Sequence, residues 1–280
     1  MRLSRRALLV FGAFLIAAAI ALNIFFNAIY RLPILMYHSI DYTADKSDRM
    51  FVSPQVFEKQ MKFLRDRGYN VIPLEEAVGY ISRRARPPAR TVAITIDDGY
   101  ENNYKYAYPV LKKYDIPATI FVIVGLVGRE GFMNWDQIKE LSASGIVDIE
   151  SHSMTHPWLT GIDDSALRYE MEESRKTLKD VLGKDVKYVC YPMGGYDERV
   201  KSAARRAGYE AGFATKPTRL SPNYDVYEIK RVRISSNSNP LFVFAIKISG
   251  CHAFLRLIQD DYKNIPTLYR KFRYEENSDR

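Results

Sequence analysis

The chain contains little cysteine and little histidine. Its 280 residues include two cysteines, Cys190 and Cys251, and four histidines. Two cysteines exclude a framework of several disulfide bridges and a CxxC metal or redox site. They leave open a single bridge in an oxidising compartment or two buried free thiols. Because histidine is scarce, His152 and His156, which stand close together in sequence, are candidates for a functional pair.

Internal repeats, low-complexity stretches and nucleic-acid-binding motifs are also absent from the sequence. The hydrophobic content of 47% and the charged content of 26% are ordinary for a globular protein and argue against extended disorder. The net charge is +8, but the Lys and Arg residues are dispersed, which indicates a generally basic surface. A nucleic-acid partner is therefore not expected.

One long apolar run, from Ala7 to Ile29, lies near the amino terminus and is preceded by three arginines. As a helix it would span about 35 Å, which is enough to cross a bilayer. The run predicts a membrane anchor over residues 1–31, with residues 32–280 on the outer side by the positive-inside rule. A cleaved signal sequence is the alternative, since Ala19–Ala21 resembles a cleavage site.

The rest of the chain, roughly 250 residues, is long enough for one single-core domain. Short apolar runs predict strands at Pro33–His38, Asn70–Pro73, Thr91–Ile96, Ala118–Val124, Val147–Glu150, Lys187–Tyr191, Ala211–Ala214 and Tyr227–Ile234. Amphipathic segments predict helices at Pro54–Arg67, Leu74–Arg83, Glu101–Tyr114, Asn134–Ser144, Asp163–Leu182, Asp197–Ala207 and Pro240–Ile248. This alternation predicts an α/β fold whose parallel sheet closes into a barrel.

Two strings carry the candidate chemistry. Thr95–Tyr100 (TIDDGY) places the adjacent carboxylates Asp97 and Asp98 at the end of a predicted strand, and Ser151–His156 (SHSMTH) places two imidazoles after another strand. Parallel strands bring their carboxyl ends to one edge, where active sites gather. One carboxylate and two imidazoles can hold a divalent transition metal and leave positions for water and substrate. The second carboxylate would then serve as the base.

The spacing of His152 and His156 would put both rings on one face of a helical turn. Pro157 disfavours helical geometry at His156, so a single turn or a loop is expected. Further along, the many charges of Asp163–Leu182 at helical spacing indicate a solvated helix face.

These strings resemble the motifs of the polysaccharide deacetylases, the NodB-type domain of carbohydrate esterase family four. Thr95–Gly99 (TIDDG) is similar to the family's TFDDG, and His152–His156 (HSMTH) to its H-[ST]-x-x-x-H. Pro33–His38 (PILMYH) resembles the opening strand of the branch that contains the poly-N-acetylglucosamine (adhesin) deacetylases. The resemblance extends over Leu32 to Ile248.

The resemblance implies a distorted (β/α)7-type barrel and the removal of N-acetyl groups from a β-linked amino sugar. It implies that Asp98, His152 and His156 are the metal ligands and that Asp97 is the catalytic base. It also implies that the backbone amide of Met193, in the loop after a late strand, points at the oxyanion.

Two positions depart from the family's pattern. Cys190 stands where the family has an arginine that orients the base. Arg231 and Arg233 lie two apart on a predicted strand and so share a face, and we expect one of them to point inward and support Asp97, with a surface pair as the alternative. The general acid is the second departure. The family usually has a histidine in an L-x-x-H string, and here Ser249–His252 (SGCH) has serine in place of the leucine, so His252 is the candidate acid, with His38 or a metal-bound water as the alternatives.

Substrate contacts are expected from Tyr100 and Trp158, beside the two strings, and from His38, Tyr191 and Pro192, at the ends of other predicted strands. Trp135 and Tyr196 are further candidates for stacking on a sugar ring, and burial in the core is the alternative for any of these aromatics.

The sequence therefore predicts a membrane-anchored, metal-dependent deacetylase that acts on N-acetylglucosamine units of an extracellular or cell-wall polysaccharide. One divalent ion is the expected cofactor, zinc first, with cobalt, nickel and iron as alternatives. The expected partners are the polysaccharide and the membrane. A sugar-binding or assembly protein that has lost catalysis, or another amide or ester hydrolase of the superfamily, are the alternative functions. The basic tail after Ile248 predicts a terminal helix on the barrel or a membrane-surface contact.

Overall fold

The structure, a computed structural model, describes residues 32–42, 50–215 and 225–250, together with four helical positions near the amino terminus. Within these described residues, no helix is both long and apolar enough to cross a membrane. The predicted anchor, Ala7–Ile29, lies almost entirely outside them and stays a prediction. The fold below is that of the compact unit Leu32–Ile248.

Strands and helices alternate along this unit, as the sequence predicts. The strands are β1 (Ile34–Tyr37), β2 (Ser39–Ile40), β3 (Phe51–Val52), β4 (Asn70–Val71), β5 (Thr91–Ile96), β6 (Ala118–Val122), β7 (Val147–Ser151), β8 (Tyr188–Cys190), β9 (Ala211–Ala214), β10 (Ile229–Lys230) and β11 (Val232–Arg233). The helices are α1 (Pro54–Asp66), α2 (Leu74–Ser82), α3 (Tyr108–Tyr114), α4 (Trp135–Ala143), α5 (Asp164–Leu182), α6 (Glu198–Ala207) and α7 (Leu241–Ile248).

The main sheet is parallel and forms a nearly closed barrel. Its strand order is β10-β9-β8-β7-β6-β5-β1-β11, with β4 beside β5. β10 and β11 stand at opposite ends of this order, although only Arg231 separates them in sequence. One chain segment therefore bridges the two edges of the sheet: Ile229 and Lys230 pair with β9, and Val232 and Arg233 pair with β1.

This closure corrects the predicted continuous strand Tyr227–Ile234. The segment begins with a 3-10 turn at Val226–Glu228, and its pairing is interrupted at Arg231. The interruption arises because the two halves of the segment pair with different strands, so that Arg231 belongs to neither ladder. Its side chain is fully buried.

The sheet carries a hydrophobic layer on each face, because side chains alternate between the two faces along every strand. Strand β5 is buried at every position, as expected for a parallel strand covered on both sides. The layer against the helices includes Leu35, Val92, Ile94, Ile120, Ile149 and Val189. The layer inside the barrel includes Ile34, Ala93, Phe121, Tyr188, Phe213 and Ile229.

Helix starts follow from the capping residues. The Ser53 side chain accepts a hydrogen bond from the Val56 amide, and Pro54 occupies the first turn of α1. Asn134 and Gln137 form a capping box at the start of α4. The predicted helices at these two places therefore agree with the structure to within one residue at each end.

Two local features differ from the prediction. The predicted helix Glu101–Tyr114 contains a π-helical turn, Asn103–Ala107, before α3 begins. The wide turn places Asn103 against the end of β1, where its side-chain amide donates to the carbonyl of His38 at 2.8 Å. The paired strands β2 and β3 are too short for sequence periodicity to reveal them.

Replacing Gly212 in β9 with alanine should destabilise the barrel. A Cβ there would lie 2.1 Å from the hydroxyl oxygen of the buried Tyr191, and this hydroxyl donates to the Tyr227 carbonyl at 2.9 Å. Since overpacking a filled core costs about 1–3 kcal/mol, we expect the free energy of unfolding, measured by urea denaturation, to fall by that amount.

Gly79→Ala in α2 is the matched control. The new Cβ would meet only the flexible side chain of Arg83, and alanine favours a helix over glycine by about 0.5–1 kcal/mol. The control should therefore be as stable as the wild type or more so. A Gly212→Ala protein with unchanged stability would contradict the packing described for Tyr191.

Candidate metal centre

Asp98, His152 and His156 meet at the carboxyl edge of the barrel. Asp98 lies in the loop after β5, and both histidines lie in the loop after β7. The Nε2 atom of His152 lies 3.4 Å from Oδ1 of Asp98, and the Nε2 atom of His156 lies 3.8 Å from the same oxygen. Three candidate ligand atoms, one from each residue, all lie within 4.8 Å of one another. One carboxylate and two imidazoles in this arrangement fit a divalent transition metal such as zinc.

The cluster is buried on one side and open on the other. Asp98 and His152 are buried, whereas the side chain of His156 is 27% exposed. Burial lowers the pKa of His156, so its ring is neutral at pH 7 and able to coordinate a metal. A substrate can therefore approach the cluster from the His156 side.

The backbone at these ligands is strained. Asp98 has a φ of 75°, Ser153 of 65° and His156 of 63°. The left-handed region costs a residue with a side chain roughly 1–2 kcal/mol, and such strain concentrates at functional sites. Of the two geometries expected for the histidine segment, the structure has the loop and not the helical turn.

A hydrogen bond fixes the ring of His152. Its Nδ1 lies 2.8 Å from the carbonyl oxygen of Cys190, so this nitrogen carries a proton and donates the hydrogen bond. The other nitrogen, Nε2, faces Asp98 and is the atom available to a metal, which would displace any proton on it. Metal-binding histidines in proteins are commonly oriented by a backbone carbonyl in this way.

The carboxylate of Asp97 forms a bidentate ion pair inside the barrel. Both of its oxygens accept hydrogen bonds from Arg231, each at 2.7 Å, and both side chains are buried. Burial by itself would raise the pKa of Asp97, but the charge and hydrogen bonds of Arg231 outweigh it and hold the pKa well below its usual range. Asp97 is therefore ionised at neutral pH.

Arg231 is held in turn by side chains that line the top of the barrel. Its guanidinium donates to Oγ1 of Thr95 and to Sγ of Cys190, both at 2.9 Å, and lies 5.4 Å from the ring centre of Phe121. Burial raises the pKa of the Cys190 thiol, so its sulfur is a neutral acceptor. The small side chain at position 190 leaves room for the guanidinium beside Asp97.

Arg233 does not share this environment. It is exposed, while Arg231 is fully buried. The expectation that the two side chains share a face is wrong, because the strand is interrupted between them and the alternation of an unbroken strand does not apply. Of the two candidates, the structure places Arg231 against Asp97.

A second trio of potential ligands, Asp97, His152 and Cys190, also lies close together. The guanidinium of Arg231 contacts both Asp97 and Cys190, and this fixed positive charge opposes a cation at that place. Among residues that the structure describes, no lysine or arginine forms a salt bridge with the trio of Asp98, His152 and His156, which is the better metal site.

The loop after β8 places Met193 and its neighbours differently. Met193 has a φ of 54° and a half-exposed side chain, and its carbonyl accepts a hydrogen bond from Thr215 at 3.2 Å. Tyr191 and Pro192 are buried. The expected substrate contact of the Tyr191 ring is wrong, because this side chain continues the alternation of β8 into the layer against the helices. The buried Pro192 likewise offers no surface for a polymer.

Among the predicted aromatic contacts, Trp158 lies most openly. Its ring is 49% exposed and covers Gly195, where a Cβ would lie 2.9 Å from the ring. Tyr100 stacks on Phe132 with ring centres 5.2 Å apart, and Trp135 packs against the core. The ring of Tyr196 stacks on the buried Tyr191 ring and packs against the hydrophobic core.

Two predicted site residues are placed as follows. His38 is 5% exposed, and its Nε2 lies 3.8 Å from Oδ2 of Asp97. His252 and Cys251 lie outside the described residues, and Cys190 is a buried free thiol, the second of the two states that the sequence leaves open.

Two residues of the site escape the sequence analysis. Thr95 has a local signal, since it lies two residues before Asp97 and so shares its face of β5. Glu170 has none: it sits in the charged helix predicted to be solvated, yet it is 4% exposed and contacts the histidine loop. Only the folded chain brings that helix and that loop together.

Comparison with known proteins agrees with this geometry. A model of the polysaccharide deacetylase family matches residues 84–212. The Bacillus subtilis (strain 168) protein YxkH is 38% identical over 205 residues, which are 73% of this chain and 72% of that protein. The poly-beta-1,6-N-acetyl-D-glucosamine N-deacetylase of Staphylococcus aureus (strain MRSA252) is 33% identical over 202 residues, 67% of this chain and 69% of that protein.

A solved structure shows the same fold. The Streptococcus pyogenes deacetylase PplD in complex with acetate superposes with a TM-score of 0.70 at 29% identity, over 76% of this chain and 96% of PplD. With the strand order, the position of the Asp and His residues and these likenesses together, the chain belongs to the polysaccharide deacetylase family, the NodB-type domain of carbohydrate esterase family four.

Proposed function

We propose that the protein is a metal-dependent deacetylase that removes N-acetyl groups from N-acetylglucosamine units of an extracellular polysaccharide. The observation that carries the proposal is the meeting of Asp98, His152 and His156 beside the buried carboxylate of Asp97. A relative named for poly-beta-1,6-N-acetyl-D-glucosamine and a structure named for bound acetate support the substrate class. A β-1,6-linked N-acetylglucosamine polymer is therefore the proposed substrate.

The metal ligands and the base divide the work of amide hydrolysis. A divalent ion held by Asp98, His152 and His156, with zinc as the first choice, would supply Lewis-acid chemistry, which lowers the pKa of water and polarises a carbonyl. Asp97 accepts the proton of the attacking water. Each carboxylate oxygen has two acceptor sites. Oδ2 accepts from Arg231 and from the Cys190 thiol, so the second site of Oδ1 remains for that proton.

The departing amine needs a proton as the C–N bond breaks. His38 lies 3.8 Å from Asp97, and burial lowers its pKa, so the ring is neutral and can pass on a proton that Asp97 has taken up. His252 remains the alternative acid and lies outside the described residues.

The amide of Met193 is the proposed oxyanion donor. The left-handed conformation of this residue and the hydrogen bond from Thr215 to its carbonyl fix the orientation of the turn. A donor held in advance needs no reorganisation when negative charge develops on the carbonyl oxygen.

Trp158 is the proposed sugar platform. Trp158 lies two residues after His156. Its ring covers Gly195, which has no side chain to displace it, and is half exposed. A pyranose ring can stack on such an aromatic face with its acetamido group turned towards the cluster.

The alternative of a protein that has lost catalysis depends on the cysteine at position 190. Arg231 supplies the guanidinium beside Asp97 that the family's arginine would otherwise supply. No observation in the described residues therefore favours that alternative.

We also propose that the domain works outside the cell membrane. The apolar run Ala7–Ile29 and the arginines before it support this location.

Two substitutions should distinguish the role of the proposed base from that of the proposed metal ligands. Acetate release from a β-1,6-linked N-acetylglucosamine oligomer by the zinc-loaded full chain should fall about 10²- to 10⁴-fold in Asp97→Asn, the usual contribution of a general base. Asp97→Asn should still bind zinc, whereas Asp98→Asn should lose both zinc and activity. Full activity of Asp97→Asn would overturn the role of Asp97, and a wild-type chain that neither binds zinc nor releases acetate would overturn the proposed function.

Arg231 should set the pH dependence of the reaction. Asp97 acts as a base only when ionised, and Arg231 holds its pKa below the usual range, so the acidic limb of kcat/KM should lie below about pH 4. In Arg231→Met the pKa of Asp97 rises, and the limb should move to higher pH.

Breaking this buried pair should also lower the free energy of unfolding by about 3–5 kcal/mol. Because the folded-state pKa of Asp97 is depressed, the stability that it contributes is present above its unfolded pKa near 4 and is lost as the pH falls through the folded value. Arg231→Lys keeps the charge and should shift the limb less, and the exposed Arg233→Met is the control with no shift. Identical pH profiles for Arg231→Met and Arg233→Met would contradict this account.

A further inference from the structure

A buried carboxylate lies beneath the loop that carries both histidines. Glu170, on α5, is 4% exposed. Its Oε2 accepts hydrogen bonds from the amides of Met154 and Thr155, both at 2.8 Å, and its Oε1 accepts one from the Thr155 hydroxyl at 2.5 Å. Every one of these donors belongs to the segment between His152 and His156.

The partners of Glu170 are unusual for a buried acid. Among the described residues no lysine, arginine or histidine forms a salt bridge with it. Burying a carboxylate without a counter-charge is unfavourable unless hydrogen bonds replace the lost water. The three donors of the loop therefore compensate Glu170, and Glu170 in turn fixes the loop.

The loop is held on its opposite side as well. The amide of Gly125 donates to the Met154 carbonyl at 2.8 Å, and the amide of Val124 donates to the Ser153 carbonyl at 3.2 Å. A Cβ at position 125 would lie 2.7 Å from the Met154 oxygen, so the approach requires glycine. Met154 is therefore hydrogen-bonded on both sides: its N–H donates to Glu170, and its carbonyl accepts from Gly125.

These hydrogen bonds stabilise a loop conformation that is otherwise unfavourable. Ser153 and His156, on either side of Met154 and Thr155, both have left-handed backbone angles. The left-handed region is unfavourable for a residue with a side chain, and hydrogen bonds to a charged group are stronger than those between neutral groups. Three bonds to Glu170 are enough to offset the strain on both sides.

We infer that Glu170 is a positioning residue that sets the place of His156 relative to Asp98 and His152, and thereby the affinity of the site for a divalent metal. The inference rests on the proposed metal site. Glu170 acts at one remove, since it contacts the loop and not the ligand rings. Loss of such outer partners of a metal site typically lowers metal affinity 10- to 100-fold.

The test is the zinc dissociation constant of the folded full chain, measured by competition with a chromophoric chelator. Glu170→Gln should weaken zinc binding at least tenfold, because the side-chain amide of glutamine cannot accept from both loop amides and the Thr155 hydroxyl. Glu172→Gln removes an exposed carboxylate from the same helix and should leave the dissociation constant unchanged.

A second variant and a second measurement keep the test decisive if Glu170→Gln does not fold. Thr155→Val removes one hydrogen bond and keeps the shape of the side chain, so it should weaken zinc binding a few-fold, and Thr155→Ser should restore it. Amide hydrogen exchange in the metal-free variants should be faster at Met154 and Thr155 than in the wild type.

The outcomes separate the two proposals. If the wild type binds zinc and Glu170→Gln and Thr155→Val bind it as tightly, the positioning role of Glu170 is wrong and the proposed function stands. If neither the wild type nor Glu172→Gln binds zinc, the proposed metal site itself is wrong.

Discussion

The buried ion pair between Asp97 and Arg231 is the interaction on which the rest of the site depends. It joins the end of β5 to the point where the last strand changes partner and the barrel closes. A guanidinium buried in the barrel needs an anionic partner, and the same contact keeps the carboxylate of Asp97 ionised beside the candidate metal ligands. Closure of the fold and ionisation of Asp97 therefore depend on the same contact.

The parallel sheet supplies the second constraint. Because its strands end at one edge, short loops after β5, β7 and β8 bring their side chains together there. The left-handed backbone of Asp98, His156 and Met193 shows that these loops are held away from their relaxed conformations. Contacts from outside the loops, such as those of Glu170, sustain that arrangement.

The sequence is informative where a signal is local, and uninformative where the partner is distant along the chain. Strand β5 and the adjacent carboxylates after it are predictable, because a run of apolar residues followed by a polar turn is a local pattern. The choice between Arg231 and Arg233 is not, since it depends on where the strand breaks to join two sheet edges. The buried environments of Tyr191 and Glu170 are not predictable for the same reason, because burial of each is decided by packing against another element.

The central claim is that Asp98, His152 and His156 hold one divalent ion at the mouth of the barrel. Anomalous diffraction at the zinc edge, from crystals of the full chain grown with zinc, locates such an ion directly. The account predicts a single strong peak at the domain's barrel mouth, bonded to a carboxylate oxygen of Asp98 and to Nε2 of both histidines. Crystals with zinc bound only elsewhere, or with no peak beside these three side chains, would contradict it.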